Sequence, residues 1–273
     1  MQQQSPWNAY AICTVTQPGD RPASLTYLDG RPDEICSGFD YFFWVLVRGD
    51  EVIVVDTGFS EADCRRIGRQ WNGSPAELLA RIGIDAAKVT QVLLTHAHPD
   101  HVGNLHEFPN ATFWIQQAEM ESLAGEDMSH AFFRHAYARE DALALIGLLY
   151  DDRLRFLDGD GTFAEGVDYA LVGGHARGQM VLRVATRRGP VLLASDAVHL
   201  YEEARSERPF FVFQNMEEML AGYRTCRRLA GEERFLIPGH DKLVSRLYPP
   251  ARPGLEGLIM DLAEDPAEPQ PAS

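Results

Sequence analysis

The chain has 273 residues, 45% of them hydrophobic and 24% charged, with a formal net charge of −15 at pH 7. That length suffices for one α/β domain with a large core, and the acidic balance argues against nucleic acid as a partner, which would need a basic surface. Cys13, Cys36, Cys64 and Cys226 form no CxxC pair, the N-terminus lacks a basic start followed by an apolar stretch, and no run is long enough to cross a membrane, so a cytoplasmic enzyme without a disulfide framework is expected.

Residues 9–16 read as a strand-like piece among the turn signals Pro18-Gly19-Asp20 and Asp29-Gly30. Residues 41–48 and 51–56, joined by Gly49-Asp50, predict a hairpin. Helices are expected over 61–71 and 75–82, the second with Ser74 as N-cap and Pro75 at the first helical position. Residues 89–94, Val-Thr-Gln-Val-Leu-Leu, read as a buried strand. Directly after it comes Thr95-His-Ala-His-Pro-Asp-His101. Pro99 stops the strand, so the imidazoles and the carboxylate fall on the loop at its C-terminal end, where open α/β sheets place their ligand sites.

A strand over 112–115 and a helix over 117–123 follow. Residues 125–160 mix His130, Phe132, Phe133, His135 and Tyr137 with a helical apolar stretch at 142–149. This segment is either a substrate-shaping insert or an aromatic helix packed on the core. Three further apolar stretches then end in metal-capable side chains: Val172-Gly-Gly-His175, residues 191–196 ending on Asp196, and residues 235–240 ending on Pro-Gly-His240. The tail, 264–273, is rich in Pro, Glu and Ala and expected to be disordered, which leaves residues 1–263 as a single domain.

Imidazole and carboxylate together suit zinc, iron or manganese. One strand end supplies His96 and His98, and the turn after it brings Asp100 and His101 from another direction, which fits two adjacent metals better than one. With His175, Asp196 and His240 downstream, chance is a poor explanation.

On these residues the chain resembles the metallo-β-lactamase superfamily over roughly residues 41–240. The resemblance implies an αββα sandwich, two mixed β-sheets flanked by helices, with a dinuclear site at one edge. It implies that His96, His98 and His175 hold one divalent ion, that Asp100, His101 and His240 hold the other, and that Asp196 bridges them. Zinc is the expected metal, with iron, manganese or cobalt as alternatives. Asp56 takes a place behind the ligand loop, and also reads as a strand-end aspartate capping a turn. The implied chemistry is hydrolysis of an ester, lactone, thioester or amide by a metal-bridging hydroxide, with the developing oxyanion held by a metal.

Asp196 at the bridging position argues against zinc β-lactamases, and Asp100 against the diiron oxidoreductase branch. Overall size and the stretch Ser195-Asp-Ala-Val-His-Leu-Tyr-Glu202 look most like the N-acyl homoserine lactonase group. Better-known members of that group carry a substrate-touching tyrosine three residues after the bridging aspartate. Here that position is His199, with Tyr201 two residues further on, and Ala176 stands where a threonine is usual. Asp100, His199 and Tyr201 are therefore the candidate catalytic residues, with His199 or Tyr201 as proton donor. His199 also reads as a plain histidine on the loop after the strand. His106, His130, His135 and Arg177 read as structural or solvated. Phe42, Phe43 and Trp44 read as core, with one at the pocket wall. The expected substrate is a small lactone or ester, with no nucleic-acid or membrane partner and a homodimer as one option. The alternatives are a thioesterase of the glyoxalase II kind, against which no basic C-terminal helical domain is visible, and a non-hydrolytic metal-binding or sensing protein.

Overall fold

The computed structural model describes residues 5–267. Among them, one eight-stranded sheet runs in the order Ile259–Asp261, Asn8–Thr16, Asp40–Arg48, Glu51–Val55, Gln91–Leu93, Thr112–Gln116, Leu154–Leu157, with Gln70–Trp71 added beside Asn8–Thr16. A five-stranded sheet runs Gly161–Ala164, Val167–Leu171, Met180–Thr186, Gly189–Ser195, Leu236–Pro238. Both are mixed. In the first, Glu51–Val55, Gln91–Leu93, Thr112–Gln116 and Leu154–Leu157 are parallel neighbours. In the second, Gly189–Ser195 and Leu236–Pro238 are the parallel pair.

The period-2 alternation of side chains decides which layer each residue joins. Along Asp40–Arg48, Phe42, Trp44 and Leu46 enter the core shared with the second sheet, where Leu182, Val184 and Leu193 meet them. Phe43 and Val45 enter the opposite core, under the helix Pro75–Ala80 and with Leu145 of the helix Arg139–Tyr150. All three aromatics 42–44 are core; the pocket wall is formed instead by Phe39 and Tyr41. The helix Met216–Ala230 packs on the strands of the second sheet through Met219, Tyr223 and Cys226, spaced for one face. Asn215 caps it by accepting from the Glu217 and Glu218 N–H groups.

Most expected elements are present. The hairpin forms through Asp40–Arg48 and Glu51–Val55. Ser74 makes a full capping box with Glu77. The helix expected over 61–71 is a correction: it stops at Arg66, because Gly68 turns at φ 66° and Gln70–Trp71 leaves to pair with Asn8–Thr16. The insert holds Arg139–Tyr150 as its main helix. Of the tail, residues 264–267 are fixed, with Glu264 paired to Arg187 and Ala267 N–H donating to the Leu247 carbonyl; the remainder lies outside the described residues. Among the described residues no helix is long and apolar enough to cross a membrane.

Candidate metal centre

Strand ends from both sheets converge at one edge. Gln91–Leu93 leads into His96 and His98, and the short helix Pro99–Val102 presents Asp100 and His101. From the second sheet, Val167–Leu171 leads to His175, Gly189–Ser195 to Asp196, and Leu236–Pro238 to His240. The turns are tight. Ser195 adopts φ 46° and Asp56 φ 64°, conformations that non-glycine residues hold only where the surroundings enforce them. At Gly239 a Cβ would lie 2.7 Å from the Ser195 carbonyl and 2.8 Å from Asp196 Oδ1, so only glycine lets His240 approach the aspartate.

The donor atoms fall into two overlapping sets. His96, His98, His175 and Asp196 form one; Asp100, His101, Asp196 and His240 form the other; within each set the atoms lie within 4.8 Å of one another. Asp196 belongs to both because its oxygens face different ways. Oδ1 stands 3.0 Å from His240 Nε2 and 3.1 Å from His101 Nε2, while Oδ2 stands 3.3 Å from His175 Nε2 and 3.9 Å from His96 Nε2.

Three tests of fit to metal agree. Nε2 of His96 and of His101 are buried with no hydrogen-bond partner. Nδ1–H of His240 donates to the Asp40 carbonyl at 3.0 Å and that of His175 to the Val212 carbonyl at 3.0 Å, which leaves each Nε2 as a lone-pair donor toward the centre. His98 Nδ1 and His175 Nε2 face each other at 2.9 Å, an arrangement a shared cation would relieve. Asp56 accepts from the Thr95 N–H at 2.7 Å, the Thr95 hydroxyl at 2.8 Å and His101 Nδ1 at 2.7 Å, so it both caps the turn and aims His101 inward.

Charge follows this layout. Burial holds His96 and His175 well below the ordinary imidazole range and brings His98 down to about 4. Burial also opposes charge on His101, but the Asp196, Asp100 and Asp56 carboxylates overcome it and hold that imidazole well above its usual range. Asp196 is itself held well below the usual carboxylate range, because His240, His101 and His199 outweigh its burial.

His199 lies beside the cluster, its Nε2 3.3 Å from Asp196 Oδ2 and its ring stacked on Phe210 at 3.6 Å between centroids. Behind it, the fully buried Glu203 accepts from the His199 backbone N–H at 2.8 Å and from Nδ1–H at 3.1 Å. Burial favours the neutral ring, yet Glu203 and Asp196 prevail and raise it to about 9. Tyr201 is not brought into the cavity. It opens the helix Tyr201–Ser206, its N–H donates to Asp241 at 3.0 Å, and its side chain faces Tyr248 and Arg205, which corrects its candidacy as proton donor. His106, His130 and His135 are exposed outside the cavity, and Arg177 pairs with Asp127 at 2.9 Å.

One contributor was not legible in the sequence, and a residue of the insert joins it. Glu119, fully buried, accepts from the Ala97 N–H at 2.9 Å and the Gly178 N–H at 2.7 Å, tying the first donor loop to the His175 loop. From the insert, Tyr137 donates to Glu119 at 3.2 Å and sets its ring 4.7 Å from that of His98. The cavity over the donors measures about 260 Å³, and Arg21, Phe39, Tyr41, Phe59, Arg69 and Phe210 are among its walls.

A sequence profile of the metallo-β-lactamase superfamily matches residues 38–241, which contain all seven donors. The chain belongs to that superfamily. Its relatives include the N-acyl homoserine lactonase AiiA of Bacillus thuringiensis subsp. kurstaki, 27% identical over 215 residues, spanning 72% of this chain and 80% of that protein. The N-acyl homoserine lactonase AttM of Azorhizobium caulinodans is 30% identical over 183 residues, spanning 63% of this chain and 65% of that one. The fold is the metallo-β-lactamase fold. A solved N-acyl homoserine lactone hydrolase with N-hexanoyl-L-homoserine at its catalytic metal centre superposes with a TM-score of 0.72, at 22% identity, covering 87% of this chain and 94% of that one. The dizinc quorum-quenching lactonase AidC gives 0.68 at 17% identity, covering 87% and 88%.

Proposed function

We propose that the protein is a dinuclear metal-dependent lactonase, and that residues 1–263 act as one catalytic domain. The observation that carries this is Asp196, whose two oxygens address two complete donor sets in a chain whose relatives are named lactonases. The single-domain reading is supported by Ile259–Asp261 pairing with Asn8–Thr16, which closes the two ends of the chain into one sheet. His96, His98 and His175 would hold one ion, Asp100, His101 and His240 the other, and Asp196 both. All-nitrogen-and-oxygen donors at strand ends support zinc, with iron, manganese or cobalt as competitors. Once bound, such ions polarise a carbonyl and bring the pKa of a coordinated water from 15.7 to about 7.

The chain's own groups do the rest. Asp56 fixes His101, the carbonyls of Asp40 and Val212 fix His240 and His175, and Phe39, Phe59 and Phe210 keep the cavity dry. Ring opening expels an alkoxide that needs a proton. His199 is the group placed to give it: Glu203 holds its Nδ1–H, so a proton on Nε2 is the one that faces the centre. The insert 125–160 shapes the cavity through Ala136 and Tyr137. A reducing, cytoplasmic location is supported by four free cysteines. The net charge of −15 is unsuited to nucleic acid.

The deciding experiment is elemental analysis of freshly purified protein, followed by a pH-stat comparison of N-acyl homoserine lactones, simple lactones and S-lactoylglutathione. Two metals per chain and a higher kcat/KM for lactones support the reading; faster thioester cleavage would give the site to the thioesterase alternative. Replacing His199 with alanine is expected to lower kcat by roughly 10²–10³-fold, the usual worth of one transition-state donor, with metal content unchanged. Glu203→Gln removes the charge that raises His199, so the loss of activity at high pH should begin at a lower pH than in the wild type. Unchanged kcat in His199→Ala would remove it from the mechanism.

A further inference from the structure

Arg21 breaks a pattern that much of the surface keeps. The chain has 40 acidic residues against 25 Lys and Arg, and its arginines readily find carboxylates: Arg208 takes Asp29 and Glu34, Arg205 takes Glu233, and Arg187 takes Asp261 and Glu264. Arg21 is only 9% exposed, yet among the described residues it has no ion pair, and its Nε has no hydrogen-bond partner. A cation taken out of water without a counter-charge is costly. Compensation among the described residues comes from Phe39, whose ring centre lies 4.4 Å from the guanidinium carbon, and from the nearby Tyr41 and Cys36 side chains; a cation–π contact offsets only part of such a cost.

Its position explains where the missing counter-charge would come from. Phe39 stacks in turn on the His240 ring at 5.5 Å, so the guanidinium stands one ring away from a metal donor and lines the same cavity. Arg69 lines that cavity too, and its Nε is likewise buried and unpartnered. Both arginines act on the Tyr41 hydroxyl, which places the three groups together. Burial pulls the Arg21 guanidinium down, against which Tyr41 and Cys36 act, and Arg69 adds to the lowering. The hairpin of Asp20–Pro22 and Ile35–Ser37 that carries Arg21 is pinned where it enters, since Lys242 Nζ donates to the Gln17 carbonyl at 2.6 Å. Two cations held against a dinuclear centre without carboxylates of their own make a receptor for an anion on the substrate.

Resting on the lactonase reading, we propose that Arg21 and Arg69 form a carboxylate subsite, and that the substrate is a compact lactone bearing a carboxylate group rather than a neutral lactone with a long acyl chain. The planar guanidinium fork matches a carboxylate in two parallel hydrogen bonds. Phe39, Phe59, Phe210 and Phe211 line the same cavity of about 260 Å³ and give a small ring apolar surface to pack on beside the two guanidiniums.

The test uses the metal-loaded enzyme and three substrates: 5-oxotetrahydrofuran-2-carboxylate, its primary amide, and N-hexanoyl homoserine lactone. The carboxylate should have the highest kcat/KM, chiefly through a lower KM. Arg21→Met and Arg69→Met should each lower the ratio of carboxylate to amide kcat/KM, Arg21→Met by roughly 10²-fold, and Arg21→Lys should restore part of it. Metal content and melting temperature confirm that each variant is folded. Calorimetry with glutarate and butyrate gives a readout apart from turnover: the wild type should favour glutarate, and Arg21→Met should lose that preference. If the neutral lactones were turned over as well as the carboxylate, or the ratio survived in a folded Arg21→Met, the subsite would be refuted and the lactonase reading would stand. If no lactone were opened while the glutarate preference held and depended on Arg21, the lactonase reading would fall and the anion subsite would remain.

Discussion

Asp196→Ala is expected to abolish both metal loading and lactone hydrolysis, with kcat/KM falling roughly 10⁴-fold or more, as when one member of a cooperating catalytic set is removed. The reason is geometric. Asp196 is the side chain common to the two donor sets, and its oxygens separate His240 and His101 from His175 and His96. Without it, the first set keeps three imidazoles and no carboxylate, and the second keeps His101 and His240 with Asp100 as its one carboxylate. Mass spectrometry of the native protein and elemental analysis would read the loss directly. A variant that kept two ions and near-normal turnover would show that another group bridges the centre.

Metal removal is expected to destabilise the protein as well as silence it. Each filled site stabilises by about 4 kcal/mol when free metal is 1,000 times its Kd. In a domain of this size each kcal/mol moves Tm by about 2–4 °C, so chelation should lower Tm by roughly 10 °C or more for each site emptied. The metal-free protein should also be acid-sensitive. His98 falls from its ordinary 6.5 to about 4 on folding, and His96 and His175 are lowered too, so the unfolded chain binds these protons first. Stability from these groups is therefore lost as pH drops from about 6.5 toward about 4. His101 works in the opposite sense. Its raised pKa means that metal uptake expels a proton, so affinity should weaken as pH falls. Calorimetric scans with and without chelator across that range check both statements; identical melting curves would contradict them.

What the sequence made legible and what it hid have separate physical causes. The gathering of the seven candidate donors was readable because each follows an apolar run that must be buried, and a polar side chain at the end of such a run needs a reason to be there. The hairpin and the capped helix Pro75–Ala80 were readable because their turn and cap residues act locally. Tyr201 misled because distance along the chain was taken for distance in space. A helix begins at Tyr201, and its first turn carries the ring toward Tyr248 while His199 stays at the cavity. Glu203, four residues after His199, had a detectable signal in that spacing. Glu119 and Arg21 had none. Glu119 acts through backbone N–H groups from two distant loops, and Arg21 is informative only because no carboxylate folds back to meet it.

The hairpin of Asp20–Pro22 and Ile35–Ser37 lies ahead of the stretch, residues 38–241, that the chain shares with its superfamily. Every donor lies inside that stretch and Arg21 lies outside it. If Arg21 reads the substrate as proposed, one half of that recognition lies outside the shared stretch, while Arg69 and the aromatic walls lie within it. A change in the hairpin would then reach the centre only through Phe39, the ring between Arg21 and His240.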